Sequence, residues 1–304
     1  MDRTQLTTSA DLTRDEVEFL IKEADTLRDK RTDDLKGKIC ASLFFEPSTR
    51  TRLSFESAVL RLGGSLFTVA NASSTSMKKG ETLDDSIRVI EKYGDILIMR
   101  HPKEGAAADA VRFTKKPFIN GGDGSNQHPT QALLDIYTIN RELGGVDGLT
   151  IGFVGDCKFG RSIHSLLYVL ALYKVKKIIF ISPTQLKIPN YYLDMLKEKG
   201  IEYLEDSELN KHVPEMDILY MTRIQQERFE NLEEYYFLKG SYILTSEVVR
   251  LGKPTMKVMH PLPRVDEITM EVDTMENAAY FRQSENGIYM RMALLKTLSK
   301  NFYQ

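Results

Sequence analysis

Ser48-Thr49-Arg50-Thr51-Arg52 brings three hydroxyls and two guanidinium groups into five residues, at what reads as the start of a helix. A serine at the cap can accept a backbone N–H of the first turn. The remaining amides and the helix dipole make such a place an anion site. Two arginines there are disfavoured by the dipole unless an anion is present. A phosphate suits this donor set. Taken alone, the run is equally a plain Ser-Thr cap beside solvated arginines.

Other segments add to it. In His128-Pro129-Thr130-Gln131 the proline suits the first helical position. That puts His128 at the cap, its ring able to face a ligand, and Gln131 on the first turn. Arg100 follows an apolar run in Met99-Arg100-His101-Pro102. A polar, basic stretch holding Ser76 and Lys79 reads as a mobile loop.

A second group has another character. Gly155-Asp156-Cys157-Lys158-Phe159-Gly160-Arg161-Ser162 has the spacing of a nucleotide-binding P-loop, but Arg161 stands where the lysine belongs. A guanidinium is suited instead to bidentate contact with a carboxylate. Arg223 and Gln225 follow another apolar run. In His260-Pro261-Leu262-Pro263-Arg264 two prolines fix the backbone and leave carbonyls without ladder partners, open to a ligand. Singly, each segment also fits a solvated loop, a salt-bridged helix face or a rigid turn. Together, one set suits a phosphate and the other suits carboxylates. No metal site, organic cofactor or nucleophilic side-chain arrangement is indicated.

The elements that must position these groups alternate. Apolar runs at 39–44, 66–69, 96–99, 118–120, 150–154, 177–181, 218–221, 242–244 and 256–259 read as strands, several aliphatic throughout. Amphipathic stretches at 52–62, 83–93, 130–143, 162–173 and 191–199 read as helices. Four end at Gly63, Gly94, Gly144 and Gly200, expected left-handed caps. Such alternation predicts parallel sheets flanked by helices, with ligand groups in loops beyond the carboxyl ends of strands. The 304 residues predict two α/β domains, 1–143 and 144–281. The helix over 282–304 is taken to complete the first, and the active site is expected in the cleft between the two.

With 41 basic and 43 acidic residues, no global field draws nucleic acid or an anionic membrane, so an anionic substrate needs local cations. Cys40 and Cys157 lie far apart without a CxxC, which predicts a reducing, cytoplasmic setting. The opening residues lack the apolar core of a signal peptide, and the longest apolar stretch, 166–173, is too short for a bilayer.

Five of these segments, Ser48–Arg52, Lys79-Gly80-Glu81, Met99–Pro102, His128–Gln131 and His260–Arg264, resemble the signatures of carbamoyltransferases. The similarity runs over about 35–295. Pro261 replaces the cysteine typical of ornithine-specific members, and Thr222–Gln225 and Lys158–Arg161 resemble aspartate-binding segments. The resemblance implies transfer of the carbamoyl group of carbamoyl phosphate to L-aspartate, a step of pyrimidine biosynthesis. It implies that Ser48, Thr49, Arg50 and Thr51 bind the phosphate, and that Thr51, Arg100 and His128 hold the carbonyl oxygen. Gln131 and the carbonyls of Pro261 and Leu262 would bind the carbamoyl amide, with a cis Leu262-Pro263 bond. Arg161, Arg223 and Gln225 would grip the aspartate carboxylates. Ser76 and Lys79 would enter the neighbouring active site of a homotrimer. A separate regulatory chain, a different amino acceptor such as ornithine, and a non-catalytic phosphate-binding homologue stay open.

Overall fold

The computed structural model describes residues 1–71, 79–226, 229 and 231–303. Ser76 lies outside the described residues. Packing divides the chain into two units, Met1–Leu134 with Glu285–Gln304, and Asp135–Ser284.

The first unit is built on β1 (Gln5–Leu6), β2 (Ile39–Phe44), β3 (Ser65–Val69), β4 (Ile96–His101) and β5 (Phe118–Asp123), in the order β1-β5-β4-β2-β3. All its pairings are parallel. Its helices include α1 (Arg14–Leu27), α2 (Thr49–Arg61), α3 (Leu83–Ile90), α4 (Ala106–Ala110) and the start of α5 (Pro129–Leu143). Thr13 starts α1 with a full capping box to Glu16. Ala41, Leu43, Leu97, Met99 and Phe118 form an apolar face packed with Ile87, Ala106, Ala107 and Ala110 of α3 and α4.

The second unit repeats the plan with β6 (Thr150–Val154), β7 (Lys177–Ile181), β8 (Glu202–Asp206), β9 (Ile218–Met221) and β10 (Lys257–Met259), in the order β10-β9-β6-β7-β8, again parallel. Helices α6 (Arg161–Leu170), α7 (Asn190–Glu198), α8 (Leu209–His212), α9 (Leu232–Leu238) and α10 (Ser246–Arg250) belong to it. The last helix, α11 (Tyr280–Tyr303), joins the first unit from Glu285 onward. There Tyr289 donates to Asp29 at 2.7 Å, Arg291 to Ser54 at 2.9 Å, and Lys296 pairs with Glu23 at 2.7 Å.

Both sheets reverse direction once. In the first, the chain steps from β2 out to β3, then returns to lay β4 on β2's other side. In the second, β6, β7 and β8 run one way and β9 returns beside β6. Each reversal opens a crevice at the carboxyl ends of two neighbouring strands, where ligands of such sheets bind.

Three expectations need correction. The 242–244 run forms no strand: Leu244 makes a lone bridge to Ile268, too short a pairing to extend. The edge strand β8 went unread because its sequence, Glu-Tyr-Leu-Glu-Asp, is largely polar and half exposed. Gly63, Gly144 and Gly200 take the left-handed conformation expected of caps, but Gly94 does not. A Cβ at Gly94 would come within 3.1 Å of the Ala41 side chain, so close packing on β2 accounts for that glycine. Among the described residues no helix is long and apolar enough to cross a membrane.

Candidate active site

In the first unit the expected donors emerge from three adjacent strands. Ser48, Thr49, Arg50 and Thr51 follow β2, Arg100 lies on β4, and His128 and Gln131 follow β5. Ser48 stands at the N-cap of α2 in extended backbone, but its hydroxyl makes no capping bond, contrary to expectation. The positive end of a 13-residue helix therefore faces outward without a side-chain cap. Arg52 is tied to Glu56 one turn along, 3.8 Å away. Arg50 has no carboxylate partner among the described residues, and desolvation by the surrounding protein pushes its guanidinium below its ordinary value. A cation so placed at the positive pole of a helix calls for an anion. Thr51 beside it is buried.

Hydrogen bonds hold the three strand ends together. The Arg100 carbonyl accepts from Phe45 N at 2.8 Å, joining β4 to the end of β2, and the Arg100 side chain meets Glu46 at 2.8 Å. Buried Asp123 accepts from Asn120 and Gln127 on one oxygen and from Gly105 N and Asn126 on the other. That carboxylate shapes the loop between β5 and α5. Pro129 opens α5 as expected, with Gln131 N and Ala132 N donating to the His128 carbonyl. His128 and Gln131 are buried, and the Thr130 hydroxyl lies 3.5 Å from His128 Nδ1. Lys79 is exposed, at the edge of the segment 72–78 that lies outside the described residues.

The second unit likewise brings its candidates to three adjacent strands: Arg161 after β6, Arg223 and Gln225 after β9, Pro261 and Leu262 after β10. The β6 and β9 ends touch closely. A Cβ at Gly155 would sit 2.4 Å from the Thr222 carbonyl oxygen, and Gly155 has φ 112°. Asp156 N donates to the Thr222 hydroxyl at 3.0 Å, and the Asp156 carboxylate accepts from Phe159 N at 2.9 Å. This link fixes the loop before Arg161 to the residue before Arg223. A shallow pocket at this edge is lined by Gly155, Thr222, Arg223, Tyr235, Tyr242 and Glu267, among others. The Leu262-Pro263 bond is cis, as expected. Among the described residues none donates a backbone hydrogen bond to the Pro261 or Leu262 carbonyl.

Glu46, Asp123, Asp156 and Glu267, not among the expected site residues, touch the candidates or their loops. Asp156 stands inside a segment read for its cation, and Glu46 two residues before another. An acid within or next to a cation-rich segment is the signal that would mark Glu46 and Asp156.

The fold and these clusters define an α/β protein that takes anionic small molecules at the carboxyl ends of parallel strands. Residues 4–141 match the carbamoyl-P binding domain of aspartate/ornithine carbamoyltransferases, and residues 147–298 match the Asp/Orn binding domain. The chain belongs to the aspartate/ornithine carbamoyltransferase family. It is 52% identical over 290 residues to an aspartate carbamoyltransferase catalytic subunit of Thermococcus kodakarensis, covering 94% of this chain and 93% of that one. The solved catalytic subunit of M. jannaschii aspartate transcarbamoylase has a TM-score of 0.90 at 47% identity, over 99% of this chain and 98% of that one. Aspartate transcarbamoylase of Trypanosoma cruzi, in complex with carbamoyl phosphate and aspartate, has a TM-score of 0.92 at 38% identity, over 97% and 96% of the two chains.

Proposed function

We propose that this enzyme transfers the carbamoyl group of carbamoyl phosphate to the amine of L-aspartate, giving N-carbamoyl-L-aspartate and phosphate. The observation that carries the reading is Arg50, without a carboxylate partner among the described residues, at a helix start that has no side-chain cap. It is joined by the arginines at the strand ends of the second unit.

Ser48, Thr49, Arg50 and Thr51 hold the phosphate of the donor. The neutral aspartate amine attacks the carbonyl carbon, and negative charge builds on the carbonyl oxygen. Thr51, Arg100 and His128 donate to that oxygen; fixed donors of this kind are worth about 10²–10³ in rate each. Gln131 and the carbonyls of Pro261 and Leu262 orient the carbamoyl amide. The carbon–oxygen bond to phosphate then breaks, and the departing phosphate takes the amine proton. The substrate amine is the nucleophile, so no side chain has to be. Arg161, Arg223 and Gln225 hold the two carboxylates of aspartate.

Ser76 and Lys79 serve the active site of a neighbouring copy in a homotrimer, and the enzyme works in the reducing cytoplasm. Light scattering reads the assembly directly: a mass of one or two chains contradicts the trimer. The chemical reading is tested by a bisubstrate mimic that carries one phosphonate and two carboxylates. It should bind far more tightly than either substrate, because it engages both donor sets at once. Binding no tighter than carbamoyl phosphate alone would contradict it.

A further inference from the structure

The backbone after β10 is held in an unusual shape. Leu262 has φ 53°, a left-handed conformation that a bulky residue rarely adopts unless its surroundings impose it. What imposes it here is the side chain two residues earlier. The Leu262 N–H donates to Nδ1 of buried His260 at 2.8 Å. Nδ1 must therefore be the bare nitrogen, and the ring proton sits on Nε2. That nitrogen lies 2.8 Å from the Glu267 carboxylate, to which it donates. The other Glu267 oxygen accepts from Val265 N at 3.1 Å and Asp266 N at 3.2 Å. Burial opposes ionisation of Glu267, but the hydrogen bond from His260 together with the backbone donors holds the carboxyl below its ordinary value.

His260 is fixed from behind as well. Its backbone N–H donates to the Gln283 side chain at 2.9 Å. Gln283 donates in turn to buried Asp135 at 2.6 Å, and Tyr220 of β9 donates to the other Asp135 oxygen at 2.7 Å. A buried chain of polar groups thus runs from β9 through α5 and α11 to the imidazole, ending on the amide of Leu262.

We infer that His260 and Glu267 are positioning residues that set the direction of the Pro261 and Leu262 carbonyls, with His260 Nδ1 as the deciding acceptor. Glu267 keeps the proton on Nε2, so Nδ1 stays bare. A second proton on the ring would set two N–H groups against each other at Leu262 and release the loop. This inference rests on the proposed role of those carbonyls toward the carbamoyl amide.

Two substitutions separate the two bonds. In His260→Asn the amide oxygen falls where Nδ1 stands and keeps the Leu262 bond. In His260→Gln the amide nitrogen falls where Nε2 stands, keeps the Glu267 bond and loses the acceptor. Wild-type turnover with carbamoyl phosphate and aspartate is measured first; without it, the functional reading itself fails. Given turnover, His260→Gln should lower kcat about 10²-fold, the scale on which a misplacement of about 1 Å acts. His260→Asn, lacking only a bond behind the ring, should lose about 2- to 10-fold. The KM for aspartate should change little in either, and both should melt within a few degrees of each other. Equal losses, a greater loss in His260→Asn, or no loss in either would overturn the inference. Failure of both variants to fold would also overturn it, by assigning His260 to the core alone.

Discussion

In the first unit the chain reverses between β2 and β4, in the second between β6 and β9, and the two clusters at these places are held by different means. In the first, the donors other than Arg100 on β4 stand at the starts of α2 and α5, helices of 13 and 15 residues. A helix start delivers amides and dipole at fixed positions, and the side chains add to a field already present. In the second, only Arg161 opens a helix; Arg223, Gln225, Pro261 and Leu262 stand on irregular backbone. Their places depend on Asp156 with Thr222 and on His260 with Glu267. The difference teaches where each unit is vulnerable. The first should fail when a donor is removed, the second also when a supporting bond is.

The largest effect should come from Arg50→Ala. Turnover at limiting carbamoyl phosphate should fall about 10²–10³-fold, with the melting temperature nearly unchanged because Arg50 has no carboxylate partner among the described residues. A variant with ordinary carbamoyl phosphate kinetics would mean that the helix start is not the phosphate site. Arg223→Ala should act on the other substrate. Steady-state kinetics should show the aspartate KM raised about 10- to 10²-fold, the worth of hydrogen bonds to a charged group, with the carbamoyl phosphate KM near that of the wild type. If both substrates weakened equally, the division of labour between the units would be wrong.

A smaller effect, within the second unit, is exposed by acid. His164 on α6 donates to the Cys157 carbonyl at 2.9 Å and stacks on Tyr192. Burial, against that hydrogen bond, pushes its imidazole down to about 4 from 6.5. The folded state thus binds this proton less readily than the unfolded chain. The contribution is complete above pH 6.5 and is lost progressively as pH falls toward 4. Between pH 7 and 5 it amounts to about 2 kcal/mol. His164→Gln keeps a donor without the titration. Urea unfolding of this variant should show a weaker loss of stability over that range; an identical slope would relieve His164 of the role.

How much of this could be read beforehand follows from the same contrast. The runs over 39–44, 150–154, 177–181 and 218–221 form strands with those bounds, short and largely apolar as strands covered on both faces are. Pro129 marked the start of α5 for an equally local reason. The spent-looking Ser48 cap was misjudged because its hydroxyl is not used on the helix at all. Long-range partners left no local trace: Glu267 meets His260 across a turn, and Asp135 meets Gln283 from 148 residues away. The cations showed where chemistry belongs, while the acids and amides that aim them became visible only with the fold. The 242–244 run shows the converse, an apolar pattern that finds no neighbouring strand to extend it.

The central claim is that the second unit is built for a dicarboxylate acceptor. Purified enzyme is given carbamoyl phosphate with L-aspartate and, side by side, with L-ornithine, and the carbamoylated product is quantified. Arg161 and Arg223 present cations where ornithine would bring another, so aspartate should be carbamoylated at least about 10²-fold faster, as expected when a site's charged groups are left without their partner. Equal rates, or a preference for ornithine, would contradict the account.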